Sequence, residues 1–358
     1  MLVGDDSTVH RLDSRHALRK FTQEIEKSLM VRESMSSRTL SSPFAENQQP
    51  LAHPSFTIAV IGDVHDQWEP DDEAALHHLN VDLVLFVGDF GNESVDVVKA
   101  IAQIDLPKAV ILGNHDAWYN ATQWGRSRCP YDAKTENRVQ QQLDLLGNAH
   151  VGYGKLDFPK LNLTVVGGRP FSWGGPDWKN KTFYRTWYGV NSFEESVEKM
   201  NQAVDSAAFE TLLFVGHCGP TGLGDRPEST CGRDWRPIGG DYGDPDLTET
   251  IAYAQSLGKQ IPLVTFGHMH HNLRHRKDRV RDRLVVGSPE AKTPTVYLNA
   301  ASVPRIKEEA GKSLRNMTLV TLEAGQIAQA ALVWTDERGA IATEDILYES
   351  PRSLASLH

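Results

Sequence analysis

Short apolar runs alternate with polar junctions along the chain, and five of the runs end alike. FTIAVIGDVH stops at Gly62-Asp63 and reaches His65; VDLVLFVGDF stops at Gly88-Asp89; AVILGNHDAW stops at Gly113-Asn114 and runs on into His115 and Asp116. TLLFVGHC stops at Gly216-His217, and IPLVTFGHMHH stops at Gly267-His268 and reaches His270. Each run is rich in Val, Leu, Ile or Phe, the pattern of a strand buried on both faces. Residues 71–79 and 95–103, between the first three runs, carry apolar residues at helical spacing. Strand, helix, strand, helix, strand predicts parallel strands joined by right-handed crossovers. The C-terminal ends of parallel strands share one sheet edge, where ligand sites of open α/β sheets gather. The five junctions are therefore expected side by side.

One such junction is an ordinary turn, because Asn, Asp and Gly are turn residues. Five of them in succession form a different pattern. The residues after the glycines are Asp, Asp, Asn, His and His, with further histidines at 65 and 270. Carboxylate, amide and imidazole suit Mn, Fe or Zn, and the glycines let the backbone approach a small bound group. A metal site is the expectation.

Composition narrows the class. The 358 residues carry a formal net charge of −10, with 40% hydrophobic and 23% charged residues. That suits a globular protein with a large core and favours neither nucleic acid nor an anionic membrane as partner. No apolar run approaches the length of a membrane span. The three cysteines, Cys129, Cys218 and Cys231, are too few and too scattered for a zinc or disulfide framework. They point to reduced thiols in an intracellular, by default cytoplasmic, protein. Cys218, beside His217, is expected as a buried structural residue. Residues 1–50 are polar and poor in apolar pattern, a poorly structured N-terminal extension. They lack the apolar region of a secretory signal. Asp5, Asp6, Asp13, Glu24, Glu26 and Glu33 argue against a transit peptide, whereas SSRTLSSPF leaves a plastid address open. Residues 336–358 read as a peripheral C-terminal tail.

The ordered set GDVH, GD, GNHD, GH and GHMH resembles the calcineurin-like metallophosphoesterase family over about residues 56–335. The resemblance implies an α/β fold, a two-sheet β-sandwich flanked by helices in four α/β/β/α layers. TVYLNA, MTLVTLEA and IAQAALVW would be antiparallel strands of its second sheet. It also implies two divalent metal ions. One would take Asp63, His65, Asp89 and His270; the other would take Asp89, Asn114, His217 and His268, with Asp89 bridging. Two divalent ions less Asp63, Asp89 and a bridging hydroxide leave about one net positive charge for an anionic ester. The implied reaction is hydrolysis of a phosphomonoester or phosphodiester by in-line attack of that metal-bridging hydroxide, with no covalent enzyme intermediate. His115 would meet the phosphate oxygens or the leaving group. Asp116 would hold the His115 ring or cap the next segment.

One departure matters. Many relatives read GD-x-x-D-R-G at the second motif, where this chain reads GDFGNES. Asn92 stands for the Asp that pairs with the motif histidine, and Glu93 for an Arg that grips phosphate. GDFGNE resembles a branch associated with cyanobacteria and the plastid lineage. Losing the Arg weakens a protein-phosphatase reading and favours a phosphorylated small molecule or nucleotide.

Insertions are expected near 118–148, 169–201 and 221–248. They hold six of the eight tryptophans, at 118, 124, 173, 178, 187 and 235. Arg126, Arg128, Arg169, Arg185, Arg233 and Arg236 also fall there. Such loops carry specificity, although packing of one loop on another is the plainer reading of each Trp. The basic run HNLRHRKDRVRDR, 271–283, reads as a solvated hairpin beside the site. Two rivals to the hydrolase stand: a nuclease using that run, and a catalytically silent binding module on the same fold.

Overall fold

The computed structural model describes residues 55–287 and 293–351. The N-terminal extension expected over 1–50 lies outside the described residues.

The described strands are β1 (Phe56–Ile61), β2 (Leu83–Phe86), β3 (Lys108–Val110), β4 (Lys155–Phe158), β5 (Leu163–Gly167), β6 (Thr211–Val215), β7 (Gln260–Phe266), β8 (Leu284–Gly287), β9 (Thr295–Asn299), β10 (Ile306–Glu309), β11 (Lys312–Glu323), β12 (Gln326–Thr335) and β13 (Ile341–Glu349). The longer helices are α1 (Pro70–His78), α2 (Val95–Gln103), α3 (Arg138–Leu146), α4 (Lys181–Tyr188), α5 (Phe193–Asp205) and α6 (Pro245–Ser256). The predicted helices 71–79 and 95–103 coincide with α1 and α2.

The first sheet has the order β13-β12-β11-β1-β2-β3, with β10 added beside β11; the second is β4-β5-β6-β7-β9-β8. β1, β2 and β3 are parallel, and so are β5, β6, β7 and β9. Period-two alternation sorts their side chains into layers. Ile58, Val60, Leu83 and Leu85 meet Leu163, Val165, Leu213, Leu263 and Leu298 between the sheets. Their sequence neighbours Ala59, Ile61, Val84 and Phe86 face outward and pack with Val98, Ile101, Val139 and Leu146 of α2 and α3. On the far side Phe214, Val264 and Phe266 pack with Ala203, Val204, Leu247 and Ile251 of α5 and α6. The result is an α/β fold of two mixed sheets between helical layers.

Four expectations need correction. The junctions do not share one sheet edge: three follow β1–β3 and two follow β6 and β7, so they meet across the sandwich. MTLVTLEA and IAQAALVW, in β11 and β12, extend the first sheet antiparallel to β1 rather than forming the second. TVYLNA, in β9, does join the second sheet, but parallel to β7. The tail expected from Asp336 supplies β13, paired antiparallel with β12 through Glu349. The expected insertions also shrink. Val139 and Leu146 of α3, Met200 and Val204 of α5, and Leu247 of α6 are buried against the sheets, so these helices are layers of the fold rather than loops above it.

Candidate metal centre

Each ligand candidate stands just beyond a strand end, and at four of the seven the backbone takes an uncommon shape. Asp63, His65, Asp89 and His268 all have positive φ, at 47°, 45°, 57° and 67°. Non-glycine residues seldom adopt this region, and clusters of them mark functional sites. The glycines are needed for space as well as for turning. A Cβ on Gly113 would collide with Asp89 Oδ1 and the His217 ring, and one on Gly267 would collide with Asp63 Oδ1.

Three groups of metal-ligating atoms converge here: Asp63, His65 and His270; His65, Asp89 and His115; and Asp89, His217 and His268. Asp89 belongs to two of them. His65 Nε2 lies 3.1 Å from His270 Nε2, which in turn lies 3.0 Å from Asp63 Oδ2. His217 Nε2 lies 3.0 Å from Asn114 Oδ1 and 3.3 Å from Asp89 Oδ1. Backbone N–H groups fix the carboxylates: His268 donates to Asp63 Oδ1 at 3.0 Å and His115 to Asp89 Oδ1 at 2.8 Å.

This arrangement fits a cation. The Val87 carbonyl can only accept, so His217 Nδ1, 2.8 Å away, carries the proton. In the neutral ring Nε2 is then a lone pair, aimed at two oxygens that are also acceptors. At His270 a single nitrogen faces both a carboxylate oxygen and another imidazole nitrogen. The lone pairs that face one another at His217 repel unless a positive centre lies between them.

The electrostatics agree. Burial works to raise the Asp63 carboxyl, but His270, with His217 and His65 behind it, holds it below the usual carboxylate range. Asp89 is likewise held low, by His217 and His115 against its burial. Burial pushes His268 down to about 3, leaving a neutral ring suited to coordination.

His115 and Asp116 part company. His115 Nδ1 is 2.6 Å from Asn92 Oδ1, and its Nε2 is 4.0 Å from Asp89 Oδ2. Burial lowers its pKa against the pull of Asp89. Asp116 neither holds that ring nor caps the following turn by itself. Its carboxylate accepts the backbone N–H groups of Asp89, Phe90 and Gly113 at 3.0, 2.9 and 2.7 Å. It is a brace between the second and third junctions. Burial and the Asp89 charge push its carboxyl well up, with the three N–H donors opposing them.

Glu93 has a role the sequence did not reveal. It is fully buried, accepts the N–H groups of Tyr119 and Asn120 at 2.7 and 2.9 Å, and takes the Tyr131 hydroxyl. The residue in place of a phosphate-gripping Arg thus anchors the first insertion. Cys218 and Cys231 are buried, and burial raises both thiols far from reactive thiolates.

Beside these groups opens a cavity of about 390 Å³, walled by Trp118, Trp173, Lys179, Trp235, Tyr242 and Arg274 among others. None of the six insertion arginines lines it. Arg169 is buried between Asp244 and Asp246, and Arg128 lies over Trp124. Within the basic run Arg281 is not solvated. It is buried, and it donates to the carbonyls of Pro227, Ser229, Gly232 and His270.

Residues 56–272 match the model of the calcineurin-like phosphoesterase family. That is more than half of the chain, and the chain belongs to this family. By that membership the protein is a metallophosphoesterase, with His/Asp clusters placed to bind metal. No curated protein sequence matches it significantly. Among solved structures, a protein from Thermus thermophilus is similar at 10% identity, over 82% of this chain and 100% of that one, with a TM-score of 0.42. A dimetal phosphatase from Danio rerio is similar at 12% identity, over 82% and 99%, also with a TM-score of 0.42. Among the described residues, no helix is long and apolar enough to cross a membrane.

Proposed function

We propose that the chain is a two-metal hydrolase of a phosphorylated small molecule. The observation that carries this reading is the convergence of Asp and His ligand atoms in overlapping groups that share Asp89, with the His217 Nε2 lone pair facing two acceptor oxygens. Asp63, His65, His270 and Asp89 would hold one divalent ion, and Asp89, Asn114, His217 and His268 the other. When bound, such a pair supplies Lewis acidity at a phosphoryl oxygen and lowers the pKa of a water. The protein's own groups do the rest. Asn92 Oδ1 accepts a hydrogen bond from His115 Nδ1–H, so Nε2 is the atom that meets a phosphoryl oxygen or the leaving group. Asn92 carries no charge, so it orients the ring without stabilising its cation. The cavity wall limits the ester to a compact one. On its GDFGNE motif alone, we place the chain in the branch that shares it.

The test couples metal content to turnover. The purified protein is assayed with added Mn on p-nitrophenyl phosphate and its bis-ester, beside Asp89→Asn and His115→Ala. The expected wild type holds about two metals per chain and hydrolyses one of the esters. Asp89→Asn loses metal and turnover together. His115→Ala keeps its metals and loses about 10²–10⁴-fold in kcat. A wild type that binds no metal overturns the reading in favour of a binding module. Cleavage of polynucleotide alone would make it a nuclease.

A further inference from the structure

The walls of the cavity come from four separate segments and include three tryptophans and a tyrosine. Trp118 stacks on His115 with ring centroids 4.4 Å apart and planes 13° apart. Trp173 stacks on Trp118 in turn, at 5.6 Å and 18°. Tyr242 meets Trp235 edge-on at 5.0 Å, and Lys179 lies over the Tyr242 ring at 4.9 Å. Arg274 lies over Trp235 at 5.8 Å. An arc of rings thus begins at the histidine beside the metal ligands and ends at a guanidinium.

The cations of this wall differ in what they have left to give. Arg281 has given its guanidinium to four carbonyls. Lys179 donates to the Gly174 carbonyl at 2.8 Å and keeps two donors. Arg274 is pinned by its backbone, whose N–H donates to Asp234 Oδ2 at 2.8 Å. Its guanidinium has no hydrogen-bond or ion-pair partner among the described residues. A second hollow of about 360 Å³ shares Asp234, Trp235 and Arg274 with the cavity and continues to Arg236 and His275. Trp235 and Arg274 therefore stand where the two spaces join.

We infer that the substrate held in this cavity is a nucleotide, with its ring laid on Trp235 and an oxygen of its phosphoryl group gripped by Arg274. The inference rests on the phosphoesterase reading and deepens it. Indole faces bind bases of any identity, and a free guanidinium fork matches phosphate geometry. Arg274 would supply, from the segment that follows His270 in the cavity lining, the anion grip that Glu93, buried under the first insertion, does not. A small phosphoester without a ring would forgo the aromatic wall, and a folded phosphoprotein would not enter a walled space of this size.

Binding and turnover test this separately. Adenosine 5′-monophosphate and ribose 5-phosphate, which share the phosphate and sugar, are titrated calorimetrically into the metal-loaded protein. The wild type is expected to bind the nucleotide at least about tenfold more tightly. Trp235→Ala should abolish that preference. Arg274→Ala should weaken both ligands, and Arg274→Lys should recover part of the loss. In turnover, Trp235→Ala should lose at least about tenfold more kcat/KM on the p-nitrophenyl ester of thymidine 5′-monophosphate than on methyl p-nitrophenyl phosphate, whereas Arg274→Ala should lose kcat/KM on both. Equal affinity for the two ligands, with turnover of p-nitrophenyl phosphate intact, overturns the inference and leaves the phosphoesterase. A nucleotide preference in a protein that hydrolyses no ester overturns the phosphoesterase reading instead. Tighter binding of single-stranded DNA than of the mononucleotide, falling steeply with salt, overturns it in favour of a polynucleotide.

Discussion

The metal-ligand cluster and the aromatic wall border the same cavity but are built on opposite plans. The ligands lie two to four residues beyond buried strand ends. Their positions follow from strained local backbone, tight glycines and hydrogen bonds from neighbouring N–H groups. The wall is assembled from side chains on long connections, and its rigidity comes from a few buried polar clamps at the base of those connections. Glu93 ties down the first, and Arg281 ties the third to the His270 main chain. Arg169 joins the feet of the second and third, donating from Nε to Asp246 at 2.9 Å and from its other end to Asp244. Ser172 also donates to Asp244. Chemistry common to a family can sit on the first plan while the choice of substrate changes through the second.

If the plans are separable, breaking a wall clamp should spare the ligand cluster. The largest effect is expected from Arg169→Met. It leaves two buried carboxylates without their cation, a change that typically costs about 3–5 kcal/mol. Urea denaturation should show that loss, while the folded protein still binds its full complement of metal. Loss of metal binding from folded Arg169→Met would show that wall and cluster form one unit.

The two plans also differ in how far they could be read from the sequence. Strand ends announce themselves: an apolar run, a glycine and a ligand-type residue occupy consecutive positions. The seven candidate ligands from Asp63 to His270 could therefore be picked out together, and α1 and α2 were legible from their spacing. Sheet membership was not. Alternation in β11 and β12 tells which face of a strand is buried but not which strand it pairs with, and β1 took both into the first sheet. β13 was missed because seven of its nine residues are exposed, so it carries little apolar signal. Arg281 looked like one more charge in a basic run. Only the fold brings four carbonyls to it. Glu93 looked like a lost Arg for the same reason, since its partners Tyr119, Asn120 and Tyr131 arrive from 26, 27 and 38 residues away.

Asp116→Asn tests the other plan. The amide keeps one acceptor and presents an NH₂ where the carboxylate met an N–H, so at least one of three buried donors is left unpaired. A cost of about 2 kcal/mol is expected. Because the brace joins the turns that carry Asp89 and Asn114, metal affinity should fall about 10–100-fold as well. Denaturation and calorimetric titration with Mn measure the two. A stability loss with unchanged metal affinity would mean that the strand ends hold the ligands without the brace.

The smallest effect is expected at the seam. His150 lies where the first insertion returns to the sandwich, bridging to Val110, the last residue of β3. Burial pushes its pKa down to about 4, and its Nε2 is buried without a partner. The folded ring stays neutral at pH values where the unfolded chain, near 6.5, has already taken up a proton. Between pH 6.5 and 4 the unfolded state binds more protons, so stability falls as pH falls through that window and levels off below it. His150→Gln removes this response. Between pH 7 and pH 5 the wild type should lose about 1 kcal/mol more than the variant, allowing for partial solvent screening. The proton uptake of the metal ligands is common to both proteins and cancels in the difference. Parallel stability curves for the two proteins would place the acid sensitivity of the fold in the ligand cluster rather than at the seam.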